Sequence, residues 1–121
     1  MQESNIRGAH RDSQFGPMVM LGLGGITVEV LEDTAFRLAP LSEEEARETV
    51  METAVGRLLV GLRGQPQRDI DATVEAIRRV GQLVVDHPDV AEVDLNPLIV
   101  ARAQEGAWAV DVRVVLGRGG N

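Results

Sequence analysis

The segments Val93-Asp94-Leu95-Asn96 and Val110-Asp111-Val112-Arg113 hold the residues best suited to chemistry. If both are strands their side chains alternate, so Asp94 and Asn96 share one face and Val93 and Leu95 the other. In the second segment Asp111 and Arg113 alternate with Val110, Val112 and Val114. A two-residue loop at Ala103-Gln104 would close the two into a hairpin with Asn96 directly opposite Asp111. Two carboxylates and one amide oxygen would then converge on one sheet face. Such an all-oxygen set suits Mg²⁺, which keeps part of its water and shares its shell with substrate phosphates. Pro97 adds weight, because a proline inside a strand pattern implies an edge or bulge that re-aims its neighbours. From spacing alone, the plainer reading of solvated polar positions on an antiparallel sheet is favoured.

A second candidate is Gly22-Leu23-Gly24-Gly25, whose backbone N–H groups could face a phosphate. It is no dinucleotide fingerprint, since a β-branched run rather than a helix follows, and without lysine it is no Walker loop. A hairpin turn is the plainer reading. Glu29 and Arg37 would stand opposite each other across a three-residue turn. A cross-strand ion pair worth ~0.2–1 kcal/mol is the plain meaning, and a place for Glu29 beside phosphates the sharper one. His10 and His87 lack ligand spacing to another donor, and His87 before Pro88 suits a helix C-terminus. Ser4, Ser13 and Ser42 suggest no triad.

These residues need elements to hold them. Residues 1–16 show no periodicity, and residues 1–10 are expected as a flexible N-terminal segment. Pro17 to Leu21, Ile26 to Leu31 and Ala35 to Leu38 read as short antiparallel strands, with a tight turn at Glu32-Asp33-Thr34. Ser42-Glu43-Glu44-Glu45 fits a capping box opening a helix whose apolar face runs through Ala46, Val50, Met51, Ala54, Val55, Leu58 and Leu59, with a break possible at Gly56. After a connector at Gly61 to Gln67, Asp69 can cap a second helix to about Asp86, buried through Ile70, Val74, Ile77 and Val84, with Pro88 marking its end. Val90 to Val100 and Trp108 to Leu116 are the last two strands, and residues 117–121 a disordered tail. The order predicts an α+β domain, a mainly antiparallel sheet with helices packed on one face.

Length and composition bound the function. The chain has 121 residues, room for one core. Hydrophobic residues at 44% and charged residues at 26% are ordinary globular values, which excludes wholesale disorder. The net charge of −7 disfavours nucleic acid and anionic membranes as partners. Phe15, Phe36 and Trp108 are too few for a base-stacking platform. All 12 basic residues are arginine, so Schiff-base and Ser–Lys chemistry are excluded; arginine-biased codon usage suffices to explain the pattern. No cysteine means no disulfide and no thiolate site. With no signal-peptide pattern in Met1 to Arg11 and no apolar run of spanning length, the expected location is the cytoplasm.

Five ordered blocks resemble the ATP-grasp domain of ADP-forming (NDP-forming) acyl-CoA synthetases. They are Arg11-Asp12-Ser13-Gln14-Phe15-Gly16-Pro17, Gly22-Leu23-Gly24-Gly25-Ile26, Val28-Glu29-Val30-Leu31-Glu32-Asp33, Phe36-Arg37-Leu38-Ala39-Pro40-Leu41, and Asp94-Leu95-Asn96-Pro97-Leu98. Leu62-Arg63-Gly64 and Asp111 continue the pattern in order. The resemblance runs from about Gly8 to Val114 and implies the C-terminal lobe of that fold over residues 11–116, similar to the succinyl-CoA synthetase beta subunit. It implies interconversion of acyl-CoA, ADP (or GDP) and phosphate with acid, CoA and ATP, through an acyl phosphate and a phosphorylated histidine. It makes Asn96 and Asp111 ligands of the nucleotide's Mg²⁺ and Asp94 a direct or water-mediated one, which shifts the weight on the hairpin toward a site. Arg11, Gly24, Gly25 and Glu29 become candidate phosphate-side or phosphohistidine-side contacts.

The resemblance covers one lobe only. The N-terminal lobe with its lysine, the CoA-binding and acid-binding domains and the phosphorylated histidine are not in these residues, so the implied partners are those parts, a nucleotide, or a second copy. Self-association is expected through an apolar face at Phe15, Met18, Met20 or Leu23. Two functions follow: a synthetase lobe active only with its missing parts, or a non-catalytic interaction or regulatory module of the kind associated with protein acetyltransferases.

Overall fold

A computed structural model describes residues 2–4, 8–22, 34–53, 56, 59–61, 67–95 and 98–117. Strands β1 (Gln2–Ser4), β2 (Gly8–Asp12), β3 (Gly16–Leu21) and β4 (Ala35–Leu38) precede helices α1 (Glu43–Glu52) and α2 (Ile70–Asp86). Strands β5 (Val90–Leu95), β6 (Leu98–Val100), β7 (Ala107–Ala109) and β8 (Val112–Leu116) follow. The main sheet is antiparallel throughout, in the order β4-β3-β2-β5-β8, and a smaller sheet runs β1-β6-β7. The α+β class read from the sequence holds.

Each helix starts where its cap predicts. The Ser42 hydroxyl accepts from the Glu45 N–H at 3.1 Å and the Glu45 carboxylate accepts from the Ser42 N–H at 3.1 Å, closing the capping box. The Asp69 carboxylate accepts from the Ala72 N–H at 3.0 Å to open α2. Alternation in the strands puts Ala9, Val19, Leu21, Val93 and Leu95 on one sheet face, where Val74, Ile77, Val80 and Val84 of α2 bury against them. Burying each such aliphatic side chain stabilises the fold by about 1.5–3 kcal/mol. Helix α1 lies on α2 with Ala46 and Val50 inward. The opposite sheet face carries no helix among the described residues.

Four expectations need correction. Residues 1–10 contribute β1, paired with β6 from Gln2↔Val100 to Ser4↔Leu98, and most of β2, an interior strand of the main sheet. Backbone pairing to partners far along the chain holds residues 2–4 and 8–10, which no local periodicity reveals. The last two strands are each divided between the two sheets, β5 and β8 in the main one and β6 and β7 in the smaller, with an interruption at 110–111 in the second. The second strand of that pair also begins one residue early, at Ala107. Helix α1 ends at Glu52, capped by Thr53 whose hydroxyl donates to the Val50 carbonyl, and Met51 stands exposed while Leu59 of the expected stripe is buried. Ala54, Val55 and Leu58, the strand expected at Ile26 to Leu31, Leu62-Arg63-Gly64 and the tail beyond Gly117 lie outside the described residues.

Two glycines answer to backbone geometry. At Gly8, φ is +104° and an added Cβ would stand 2.0 Å from the Val93 carbonyl oxygen, so only glycine lets β2 come this close to β5. Gly16, at φ +81°, closes the hairpin of β2 and β3. The Asp12 carboxylate accepts from the Gln14 and Phe15 N–H groups at 2.8 Å each, which fixes the three-residue turn.

Candidate functional site

The hairpin register is the one read from the sequence. The pairs Asp94↔Arg113 and Leu95↔Val112 in one sheet, and Leu98↔Ala109, Ile99↔Trp108 and Val100↔Ala107 in the other, share one alignment across the interruption. The Glu105 N–H donates to the Arg102 carbonyl at 2.9 Å, placing Ala103 and Gln104 at the centre of the turn, with Gln104 at φ +70°. Asp69 anchors this end. Its second carboxylate oxygen accepts from the Gly106 N–H at 2.8 Å, and its own N–H donates to the Ala101 carbonyl at 2.9 Å.

Alternation shifts by one residue at the interruption, in both strands at the same level. Leu95 and Leu98 are both buried, and Val112 stands opposite Leu95 while Ala109 packs on the core opposite Leu98. The paired ribbon therefore turns a corner. Asp111 occupies it, exposed, one residue before Val112, and Asp94 precedes it on the other strand, half-buried. Since Val93 and Leu95 face α2, Asp94 faces the open side, and its register partner Arg113 faces with it. Neither Asp94 nor Asp111 makes a hydrogen bond or ion pair among the described residues. Asn96 lies outside them.

The donor set at the corner fits Mg²⁺, which takes one or two carboxylates and fills its shell with water and phosphate oxygens. No group of three or more His, Cys, Asp or Glu able to hold a metal ion occurs among the described residues.

Other expected contacts fall elsewhere. Arg11 shares the helix-facing side of β2 with Ala9, and its guanidinium donates to the Val84 carbonyl and, at 3.2 Å, to the His87 carbonyl. It closes the C-terminal end of α2, where carbonyls lack intrahelical partners and a cation is favoured. That position does not fit a phosphate contact. Arg37 stands opposite Val19 of β3 and pairs with Glu52 of α1, and the expected pairing with Glu29 falls outside the described residues. Gly24, Gly25 and Glu29 lie outside the described residues, as does Leu23; Gly22, just after β3, is buried against Thr34. His87 caps α2, its N–H donating to the Leu83 carbonyl at 3.0 Å.

The open face holds residues that spacing did not single out as a group. Met18 and Met20 line up with Leu38 and Phe36, and Phe36 and Leu38 are 49% and 55% exposed. His10 stands opposite both Met18 and Glu92. A shallow cavity of ≈ 330 Å³ opens among Ala9, His10, Met20, Phe36 and Glu92. Met18 and Met20 of the expected apolar face thus lie together on the open side with Phe36 and Leu38, and Phe15 stands exposed in the turn before β3. The signal for His10 and Glu92 was available: each is a polar residue two positions from another on the same strand face, Asp12 and Asp94.

The ATP-grasp domain family matches residues 2–116. Over 112 residues the chain is 51% identical to ADP-forming acetate–CoA ligase I of Archaeoglobus fulgidus, covering 93% of this chain and 16% of that protein. Over 111 residues it is 43% identical to the beta subunit of ADP-forming acetate–CoA ligase I of Pyrococcus furiosus, covering 92% of this chain and 47% of that subunit. A solved structure of Ca. Korarchaeum cryptofilum dinucleotide-forming acetyl-coenzyme A synthetase 1, in complex with coenzyme A and Mg-AMPPCP, superposes with a TM-score of 0.85. It shares 43% identity and covers 97% of this chain and 54% of that one. The chain thus spans from about a sixth to about half the length of these relatives.

Proposed function

Because the chain belongs to the ATP-grasp domain family, we propose that it is the nucleotide- and magnesium-holding lobe of an ADP-forming acyl-CoA synthetase. The observation that carries this reading is the ribbon corner, where Asp94 of β5 and Asp111, one residue before β8, make no hydrogen bond or ion pair among the described residues. Asp111 and Asp94, with Asn96, hold the metal. Mg²⁺ held there would supply the positive charge that offsets the charge developing during phosphoryl transfer. The sheet holds the carboxylates in place, since their backbone is fixed by pairing on both sides of the corner. Gly24, Gly25 and Glu29 belong to the nucleotide side of the same site.

The reaction interconverts acyl-CoA, ADP and phosphate with acid, CoA and ATP, and the remaining parts of the synthetase supply the other nucleotide-binding lobe, the CoA-binding and acid-binding domains and the phosphorylated histidine. The open apolar face of Met18, Met20, Phe36 and Leu38 is where the opposing lobe closes over the nucleotide. We place the protein in the cytoplasm, where CoA and ADP are found; among the described residues no helix is long and apolar enough to cross a membrane.

Two-dimensional NMR of the labelled chain, titrated with Mg²⁺ and with Mg²⁺-ADP, tests the reading. Shifts centred on Asp94, Asn96, Asp111 and residues 22–25 are expected, and Asp111→Ala should remove them while leaving the spectrum of the fold intact. No shifts at millimolar ligand would favour a non-catalytic interaction module instead.

A further inference from the structure

On the nucleotide reading above, we infer that Arg113 is a phosphate-binding residue of this site, a cation that sits beside the metal carboxylates and grips the nucleotide's phosphate oxygens. The register Asp94↔Arg113 places it on the open face of β8, next to Asp94 and two residues after Asp111. Its side chain is exposed and makes no hydrogen bond or ion pair among the described residues.

Most other described arginines are occupied. Arg11 closes α2, Arg37 pairs with Glu52, and Arg47 bridges Glu43 and Asp71. Arg78 donates to the Leu41 carbonyl and pairs with Glu75, as does Arg79. Among the described arginines of the main sheet, Arg113 is the one held toward the open face.

The chemistry of the site needs such a group. The chain has no lysine, so any fixed cation that it offers to phosphates is an arginine. Two carboxylates alone repel a nucleoside diphosphate, and one divalent cation does not neutralise both. A guanidinium on the same face meets phosphate oxygens in a planar, two-pronged geometry that an ammonium cannot match. A purely structural role would be a cross-strand ion pair with Asp94, yet the two residues stand opposite each other without forming one.

The sign of the effect separates the roles. Arg113→Gln removes a positive charge from beside two carboxylates, so binding of Mg²⁺ alone should hold or tighten. Binding of Mg²⁺-ADP should weaken about tenfold or more, the loss expected for one charge-assisted hydrogen-bonding group. Arg113→Lys, which keeps the charge and loses the fork, should fall between. The assay is NMR titration of wild-type, R113Q and R113K chains with Mg²⁺, Mg²⁺-ADP and adenosine, the last expected to be insensitive to the substitution. Equal Mg²⁺-ADP affinity in wild type and R113Q overturns the proposal alone. Parallel loss of Mg²⁺ and Mg²⁺-ADP binding with a disturbed spectrum makes Arg113 structural and also overturns it. A wild-type chain that binds neither ligand removes the nucleotide reading, and the inference with it.

Discussion

Replacing Asp69 by alanine should unfasten the site's scaffold at the end farthest from the ligands. Asp69 is 8% exposed, and its carboxylate serves two elements at once. One oxygen caps α2 through the Ala72 N–H at 3.0 Å, and the other holds the Gly106 N–H at 2.8 Å. Losing the cap costs about 0.5–2 kcal/mol. Losing a hydrogen bond to a charged acceptor costs about 1.5–3 kcal/mol, and the lower end applies because the Gly106 bond is only part-buried. Together these predict a destabilisation of about 2–3 kcal/mol for Asp69→Ala, a large share of the 5–15 kcal/mol typical of whole domains. Asp69→Asn keeps one oxygen acceptor and turns an N–H toward the other donor, so it should lose about half as much. Urea unfolding followed by far-UV circular dichroism measures both, with an unchanged slope showing that only stability moved. Amide exchange should show Gly106 losing protection earlier than the core of β5. An Asp69→Ala loss below about 0.5 kcal/mol, within the range of ordinary surface substitutions, would refute the double role.

Two further outcomes follow from side chains already described. Arg11→Ala should cost about 1–2 kcal/mol by freeing the Val84 and His87 carbonyls, yet leave Mg²⁺-ADP binding unchanged; weakened binding in a folded variant would return Arg11 to the phosphates. The backbone N–H groups of Phe15 and Gln14 hold the Asp12 carboxyl below its ordinary value of 3.8. Its contribution is therefore full above that value and is lost as pH falls through the depressed folded one. A carbon-detected titration of the Asp12 carboxyl in the folded chain should find its midpoint below 3.8, and a midpoint above it would contradict the turn geometry.

What was legible in the sequence was what local chemistry determines. Ser42 and Glu45, and Asp69 before an apolar helical period, set the helix starts. A two-residue turn at Ala103-Gln104 sets the pairing of Asp94 with Arg113 by simple counting. The pairing of Gln2–Ser4 with Leu98–Val100 was not legible, because three residues carry no period and their partners lie some ninety-odd positions away. The turn from Asp12 to Gly16 did carry a signal, an aspartate and a glycine bracketing three residues, which periodicity alone overlooks. Arg11 shows the other limit. Its role depends on where the end of α2 comes to rest over β2, a matter of tertiary packing that no neighbouring residue encodes.

The shared shift at the ribbon corner has a consequence for how this lobe can vary. Because β5–β6 and β7–β8 change phase together, an insertion or deletion in one strand at the corner would turn every residue beyond it to the wrong side of its sheet. Only a matched change in the partner strand would restore both sheets. Lengthening the turn at Ala103-Gln104 carries no such penalty within the sheets, although it would strain the hold of Asp69 on Gly106. The corner thus behaves like a gear mesh, free to change the chemistry of its teeth but not their number, so single-residue length changes should be tolerated at the turn and lethal to the fold at Asp111.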